Sequence, residues 1–275
     1  MEDDIDLKKK EISDIKDIID PLSEKFLETK VVDEDDSIIP MQKVEEKNLD
    51  ETKISKPSRI PTGIPGLDDI LQGGFVPHST ILISGEAGTG KTIFCTQFIW
   101  NALCMGENGV YVTLQQAPEE IKNDVLPFGK DFYSAELRGQ ARILYLEPLN
   151  DIKKVINQIL KNVKDINAKR LVIDSITLLG EQARDVRRSL TYLVRELKRM
   201  GVTTLLTSEI EEGTNKVCKF GVEEFIVDGV IVLRCGEDVI GDKPRSLYIK
   251  KMRRTKHDLN YHPFEISEKG IRIIR

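Results

Sequence analysis

Residues 81–92 read "ILISGEAGTGKT", and the passage from an apolar run into a glycine-rich loop decides the fold. Thr80–Ser84 is short, apolar and β-branched, as a strand buried on both faces should be. The loop after it fills the pattern G-x-x-x-x-G-K-[ST] with Gly85, Glu86, Ala87, Gly88, Thr89, Gly90, Lys91 and Thr92, and a helical segment follows. Small residues let consecutive backbone N–H groups turn inward around phosphate oxygens, and the next helix offers its positive end. In such a loop the lysine reaches the outer phosphates and the threonine hydroxyl ligates Mg²⁺. The glycines do not read as a dinucleotide fingerprint, because the Lys91–Thr92 pair belongs to phosphate and metal binding.

A loop of this kind needs a carboxylate on the metal side, at the end of another core strand. The stretch "KRLVIDSITLL" supplies one: Leu171–Ile173 is a buried strand, Asp174 ends it, and Ser175 follows and is expected to assist the same hydrogen-bond network. A third stretch, "VYVTLQQAPEEIK" from Val110 to Lys122, reads as a strand, two glutamines and a helix opening on Pro118. Proline at the first helical position and Glu119 and Glu120 in the first turn are ordinary helix starts. The strand's carboxyl end is where an open α/β sheet places its chemistry. Gln115 and Gln116 stand there, and neither can take up a proton at neutral pH.

Further strands are expected at Ile143–Leu146 and Thr203–Thr207. Between them run two helical stripes, Ile152, Val155, Ile156, Ile159, Leu160 and Val163, then Val186, Leu190, Leu193, Val194 and Leu197. Such stripes are core-facing helix surfaces. Strand–helix alternation predicts an α/β fold with a mainly parallel central sheet and helices on both faces. After Ile226 the pattern changes to short strands without helices, which predicts an antiparallel C-terminal edge.

The net charge of −5 hides an asymmetry, since residues 1–56 hold 18 acids against 10 bases. That segment has no glycine, and its single aromatic is Phe26. It reads as a solvated N-terminal extension, 1–56, ahead of a folded domain, 57–275. Ile12, Ile15, Ile19 and Leu22 lie at near-helical spacing, so a short helix docking on a protein partner or on the body is the competing reading. The N-terminus lacks the apolar core of a signal peptide, and no apolar run is long enough to span a membrane. Cys95, Cys104, Cys218 and Cys235 are scattered, as reduced thiols in a cytoplasmic protein would be.

Taken together, "PTGIPGLDDILQGG", "GEAGTGKT", "LVIDSITLL", "FGVEEFIVDGVIVLR" and "KMRRTKHDLNYHPFEISEKGIRI" resemble the KaiC-like branch of the RecA-type P-loop ATPases. The likeness covers roughly Arg59 to Arg275 and is to a single-domain, archaeal type of member with an added N-terminal extension. It implies a RecA-type sheet, Mg²⁺ and ATP, and a homo-oligomeric ring, a hexamer, with nucleotide held between subunits. It also implies that Lys251 and Arg253 reach toward a neighbour's γ-phosphate, and residues two apart on a strand do point to one side. His257 would line the base or sugar pocket. Arg254 stands where relatives usually carry glycine.

The resemblance also gives Gln115 and Gln116 a meaning. Family members carry paired glutamates there, one of which activates the attacking water. A glutamine can orient a water but cannot accept its proton, so tight ATP binding with slow turnover is expected. Circadian relatives phosphorylate themselves on adjacent Ser and Thr; the matching positions here are near Glu223 and Glu224, which offer no hydroxyl for that modification. The expected function is a nucleotide-dependent scaffold or signalling ATPase. A recombinase-like, DNA-handling ATPase is the alternative. The candidate DNA loop, "SEIEEGTNKVCKFGVEE", is acidic on balance, where phosphate binding requires Lys and Arg.

Overall fold

The computed structural model describes residues 58–147, 151–183, 185–212, 214, 216–236 and 245–274. The N-terminal extension and its boundary near Lys56 lie outside the described residues. After a one-turn helix, α1 (Leu67–Ile70), come β1 (Thr80–Gly85), α2 (Lys91–Cys104), β2 (Gly109–Thr113), α3 (Pro118–Val125), α4 (Phe132–Leu137) and β3 (Ala141–Tyr145). Next are α5 (Ile152–Asp165), β4 (Arg170–Asp174), α6 (Ile176–Glu181), α7 (Val186–Arg199), β5 (Thr203–Glu209) and a short α8 (Glu223–Ile226). Strands β6 (Gly229–Cys235), β7 (Arg245–Met252), β8 (His262–Ser267) and β9 (Gly270–Ile273) close the described chain.

The strands form one sheet in the order β3-β2-β4-β5-β1-β6-β7-β8-β9. From β3 to β6 every pairing is parallel, and from β6 to β9 every pairing is antiparallel. This is the mainly parallel sheet with an antiparallel edge that the sequence predicts. The expected strands fall within a few residues of the observed ones. One boundary differs: Ser208 and Glu209, grouped with an acidic loop by composition, extend β5.

Alternation along each central strand feeds two cores. Ile81 and Ile83, Tyr111, Val172, Leu205 and Ile231 point to one face, where they meet Phe94 and Phe98 of α2 and Phe132 of α4. Leu82, Val110 and Val112, Leu171 and Ile173, Leu206 and Val230 point to the other, against Val155 and Ile159 of α5 and Leu193 and Leu197 of α7. Period-2 alternation with both faces apolar is why these strands read as continuous hydrophobic runs.

At the amino ends of the strands, Arg170 is fully buried. Its Nε donates to Glu107 at 2.8 Å, and one terminal nitrogen donates to the carbonyls of Pro61 and Phe98 and to Asn101 Oδ1. The guanidinium also lies over the Phe98 ring, 4.8 Å from its centre. A buried cation is tolerated when its donors are met, and removing it strands the partners. Arg170→Ala is expected to lower unfolding free energy by about 3 kcal/mol, with urea denaturation as the measurement.

Candidate functional site

The Gly85–Thr92 loop begins where β1 ends and finishes inside the first turn of α2. Gly88 and Gly90 have φ of 75° and 100°, a left-handed backbone that glycine takes without a Cβ clash. Thr89 Oγ1 donates to the Glu86 carbonyl at 2.9 Å and closes the turn. Lys91 curls back under the loop, its Nζ donating to the carbonyls of Gly85 and Glu86 at 2.8 Å each. Burial lowers the Lys91 pKa, opposed first by Asp174 and then by Glu209. Glu86 pairs with Arg234 at 3.0 Å.

Asp174 ends β4, two strands from β1 in the sheet. Three hydroxyls from three elements converge on its carboxylate. Thr92 of α2 donates to Oδ2 at 3.1 Å, Tyr111 of β2 to Oδ2 at 2.6 Å, and Thr207 of β5 to Oδ1 at 2.6 Å. Tyr111 is fully buried, and burial, reinforced by Asp174, pushes its hydroxyl pKa well above the usual value. Ser175 does not join this network: its Oγ is buried without a hydrogen-bond partner.

Gln115 and Gln116 follow β2, where the Thr113 hydroxyl organises the turn. Thr113 Oγ1 accepts from the Gln115 and Gln116 amides at 3.3 and 3.0 Å and donates to the Gln116 carbonyl at 2.9 Å. Gln115 Nε2 then donates to Glu209 Oε1 at 3.3 Å. Helix α3 opens on Pro118 as expected, and Glu120 reaches back to the Ala117 amide at 3.3 Å. Glu119 pairs with Lys122 at 3.5 Å.

Lys251, Arg253 and His257 are not brought to this loop in their own chain. Lys251 stands opposite Val230, which pairs with Leu82, three residues before Gly85. Its Nζ donates to the carbonyls of Glu224 and Val227 at 2.8 and 2.7 Å. The Arg253 amide donates to the Asp228 carbonyl, and Asp228 in turn accepts from the Thr80 amide. Arg253 is thus level with the start of β1, about 16 Å along the strands from Gly85 at roughly 3.3 Å per residue. His257 Nδ1 lies 3.2 Å from the Thr255 carbonyl, and Thr255 and Lys256 are held by Arg59 and Gln72. Arg254 has φ of 58°, the conformation that explains a usual glycine there; its carbonyl accepts from Arg59 at 2.9 Å.

Glu223 is fully buried and caps its own loop, accepting from the Phe220 and Val222 amides. Glu224 pairs with Lys250 at 2.8 Å. Sequence reasoning missed Tyr111, Thr207 and Glu209. The one available signal was the alternation along β5, which puts Leu205, Thr207 and Glu209 on the face of the sheet that carries Tyr111.

The "ATPase: KaiC" family model matches residues 60–275. The chain belongs to the KaiC family. A UPF0273 protein of the archaeon Pyrococcus horikoshii is 38% identical over 78% of this chain and 92% of its own length. The circadian clock oscillator protein KaiC of Thermosynechococcus vestitus is 37% identical over 78% of this chain but only 44% of that longer protein. In a crystal structure, a KaiC-like protein of Pyrococcus horikoshii matches with a TM-score of 0.72 and 40% identity, over 80% of this chain and the whole of that one. Family membership and the RecA-type architecture are therefore shown, and nucleotide binding is what a KaiC-family site implies. Among the described residues no helix is long and apolar enough to cross a membrane.

The Asp174 network makes a direct stability statement. A hydrogen bond to a carboxylate contributes roughly 1.5–3 kcal/mol. Tyr111→Phe keeps the packing and removes one of three donors, so a loss of about 1.5 kcal/mol in urea-induced unfolding is expected. An unchanged transition midpoint would mean that the hydroxyl adds nothing.

Proposed function

We propose that this KaiC-family chain binds Mg²⁺ and ATP in the Gly85–Thr92 loop, assembles as a homo-oligomeric ring and hydrolyses slowly, its nucleotide state controlling assembly. The residues fit the ligand. Lys91 is poised between two loop carbonyls that a phosphate oxygen would replace as its partners. Thr92 and Asp174 form an all-oxygen donor pair, the kind Mg²⁺ takes. Bound there, the metal would neutralise charge across the outer phosphates. The chain's own residues do the rest: the loop amides orient the polyphosphate, Lys91 holds its outer end, and Tyr111 and Thr207 fix the Asp174 carboxylate.

The observation that carries the ring is the separation of Lys251 and Arg253 from their own loop. Both cations lie toward the amino ends of strands whose carboxyl ends form the loop. They can act on an ATP site only across a subunit boundary, where Arg253 would stabilise charge on the transferring phosphoryl group. The side chain of Arg253 is about half exposed, and its nearest carboxylate, on Asp228, is 3.7 Å away. That leaves the guanidinium available to a neighbour.

DNA handling is the weaker reading. In the loop after β5, Lys216 and Lys219 both pair with Glu211, at 3.7 and 2.8 Å. Their charge is already answered within the loop, whereas phosphate-backbone binding depends on free cations.

Lys91→Ala is expected to weaken Mg·ATP affinity by roughly 10- to 100-fold, in line with the loss of a charged hydrogen bond. Calorimetry with an unchanged Kd would overturn the site. Arg253→Ala is expected to leave the subunit folded and to shift the ATP-loaded ring toward smaller species in sedimentation velocity. Identical sedimentation of the two proteins would remove the trans role.

A further inference from the structure

We propose that Glu209, at the carboxyl end of β5, is the proton acceptor for the attacking water, with Gln115 as its positioning residue. The inference rests on the reading of Gly85–Thr92 as the ATP site and deepens it. The carboxylate missing after the second strand would be supplied by the fifth.

The sheet register places Glu209 at the loop. Glu209 stands opposite Gly85 in the parallel β1–β5 pair, and the next amide, of Ile210, donates to the Gly85 carbonyl at 3.2 Å. Side chains two apart on a strand share a face, so Glu209 projects on the side of Thr207, whose hydroxyl touches Asp174. Its amide donates to Thr177 Oγ1 at 3.2 Å, which ties the strand end to α6. The backbone under this carboxylate is therefore held from two sides.

The side chain is placed and still chemically free. Gln115 Nε2 reaches Oε1 at 3.3 Å, and an amide donor leaves the carboxylate its charge and its remaining lone pairs. Among the described residues no lysine or arginine forms an ion pair with Glu209. The other carboxylates around the loop are committed. Glu86 pairs with Arg234, Glu119 with Lys122 and Glu211 with two lysines. Glu120 caps the start of α3, and Asp174 is taken by three hydroxyls. The Gly85 carbonyl, on the residue that Glu209 stands opposite, also accepts from Lys91 Nζ at 2.8 Å. The carboxylate thus borders the space where the outer phosphate would sit.

In the step itself the water oxygen bonds to the γ-phosphorus as the bond to the β,γ-bridging oxygen breaks. The bridging electron pair leaves on ADP, and the water's proton passes to a Glu209 carboxylate oxygen. Gln115 plays the part open to an amide: it orients, and it cannot take the proton.

The experiment measures single-turnover hydrolysis at saturating Mg·ATP beside calorimetric nucleotide affinity, on the full chain. Glu209→Gln is nearly isosteric and keeps hydrogen-bonding capacity toward residue 115. It is expected to slow hydrolysis by about 10²-fold or more, the usual contribution of a general base, with Kd for ATP unchanged. The exchanged pair, Gln115→Glu with Glu209→Gln, restores one carboxylate at the same contact and is expected to recover most of the rate. Hydrolysis in Glu209→Gln at the parent rate overturns the proposal, as does a rate loss that tracks lost affinity and is not recovered by the exchange. A parent protein that binds ATP and never cleaves it also overturns the proposal, while leaving the binding site standing. Failure to bind ATP at all strikes the site reading itself.

Discussion

The Asp174 carboxylate is the contact on which the site's geometry depends. Its two oxygens accept from Thr92, Tyr111 and Thr207, which sit on α2, β2 and β5. Satisfying three buried or half-buried donors with one ion fixes the start of the helix that closes the glycine loop relative to two strands of the sheet. The arrangement is possible because β4 lies between β2 and β5, so Asp174 reaches a neighbour on either side. Three hydroxyl donors satisfy both oxygens of this partly buried side chain. Rigidity at this point would serve the proposed metal and polyphosphate site, since misplacement by about 1 Å is costly to phosphoryl chemistry.

The sheet also separates chemistry by strand polarity. Parallel strands β1, β2, β4 and β5 send their carboxyl ends to one edge, collecting the Gly85–Thr92 loop, Gln115, Asp174 and Glu209. The antiparallel return through β7 carries Lys251 and Arg253 back toward the other end. A chain built this way holds the groups around the Gly85–Thr92 loop and the cationic groups at opposite ends of its own sheet. Only a second copy can join them, so oligomerisation follows from the topology if both sets act on one nucleotide. Lys251 illustrates the constraint: two backbone carbonyls hold its ammonium, and burial, then the neighbouring Arg253, lowers its pKa.

Much of this was legible in the sequence because it is encoded locally. The apolar runs, the two helical stripes, the loop glycines, Pro118 and the position of Asp174 each follow from a pattern within a dozen residues. What the sequence did not reveal depends on strand order. Tyr111 and Asp174 are 63 residues apart and Gln115 and Glu209 are 94 apart; the first contact exists because β2 and β4 are neighbours, the second because β4 alone separates β2 from β5. Arg170 escaped for another reason: a charged residue opening a strand reads as a solvated end, and only the packed structure shows Pro61, Phe98, Asn101 and Glu107 around it.

The double glutamine carries the same lesson into mechanism. Read along the chain, Gln115 and Gln116 are a loss, two amides where proton acceptors are expected. Read across the sheet, Gln115 is half of an amide–carboxylate pair whose acidic member comes from β5. The β1–β5 register sets that carboxylate beside Gly85, and the Thr113 turn sets the amide against it. A general base must lie within reach of the water it deprotonates, but nothing in that requirement names the strand that supplies it. Under the proposal, the site would take its base from a different strand while the loop, Asp174 and the fold around them stay as they are.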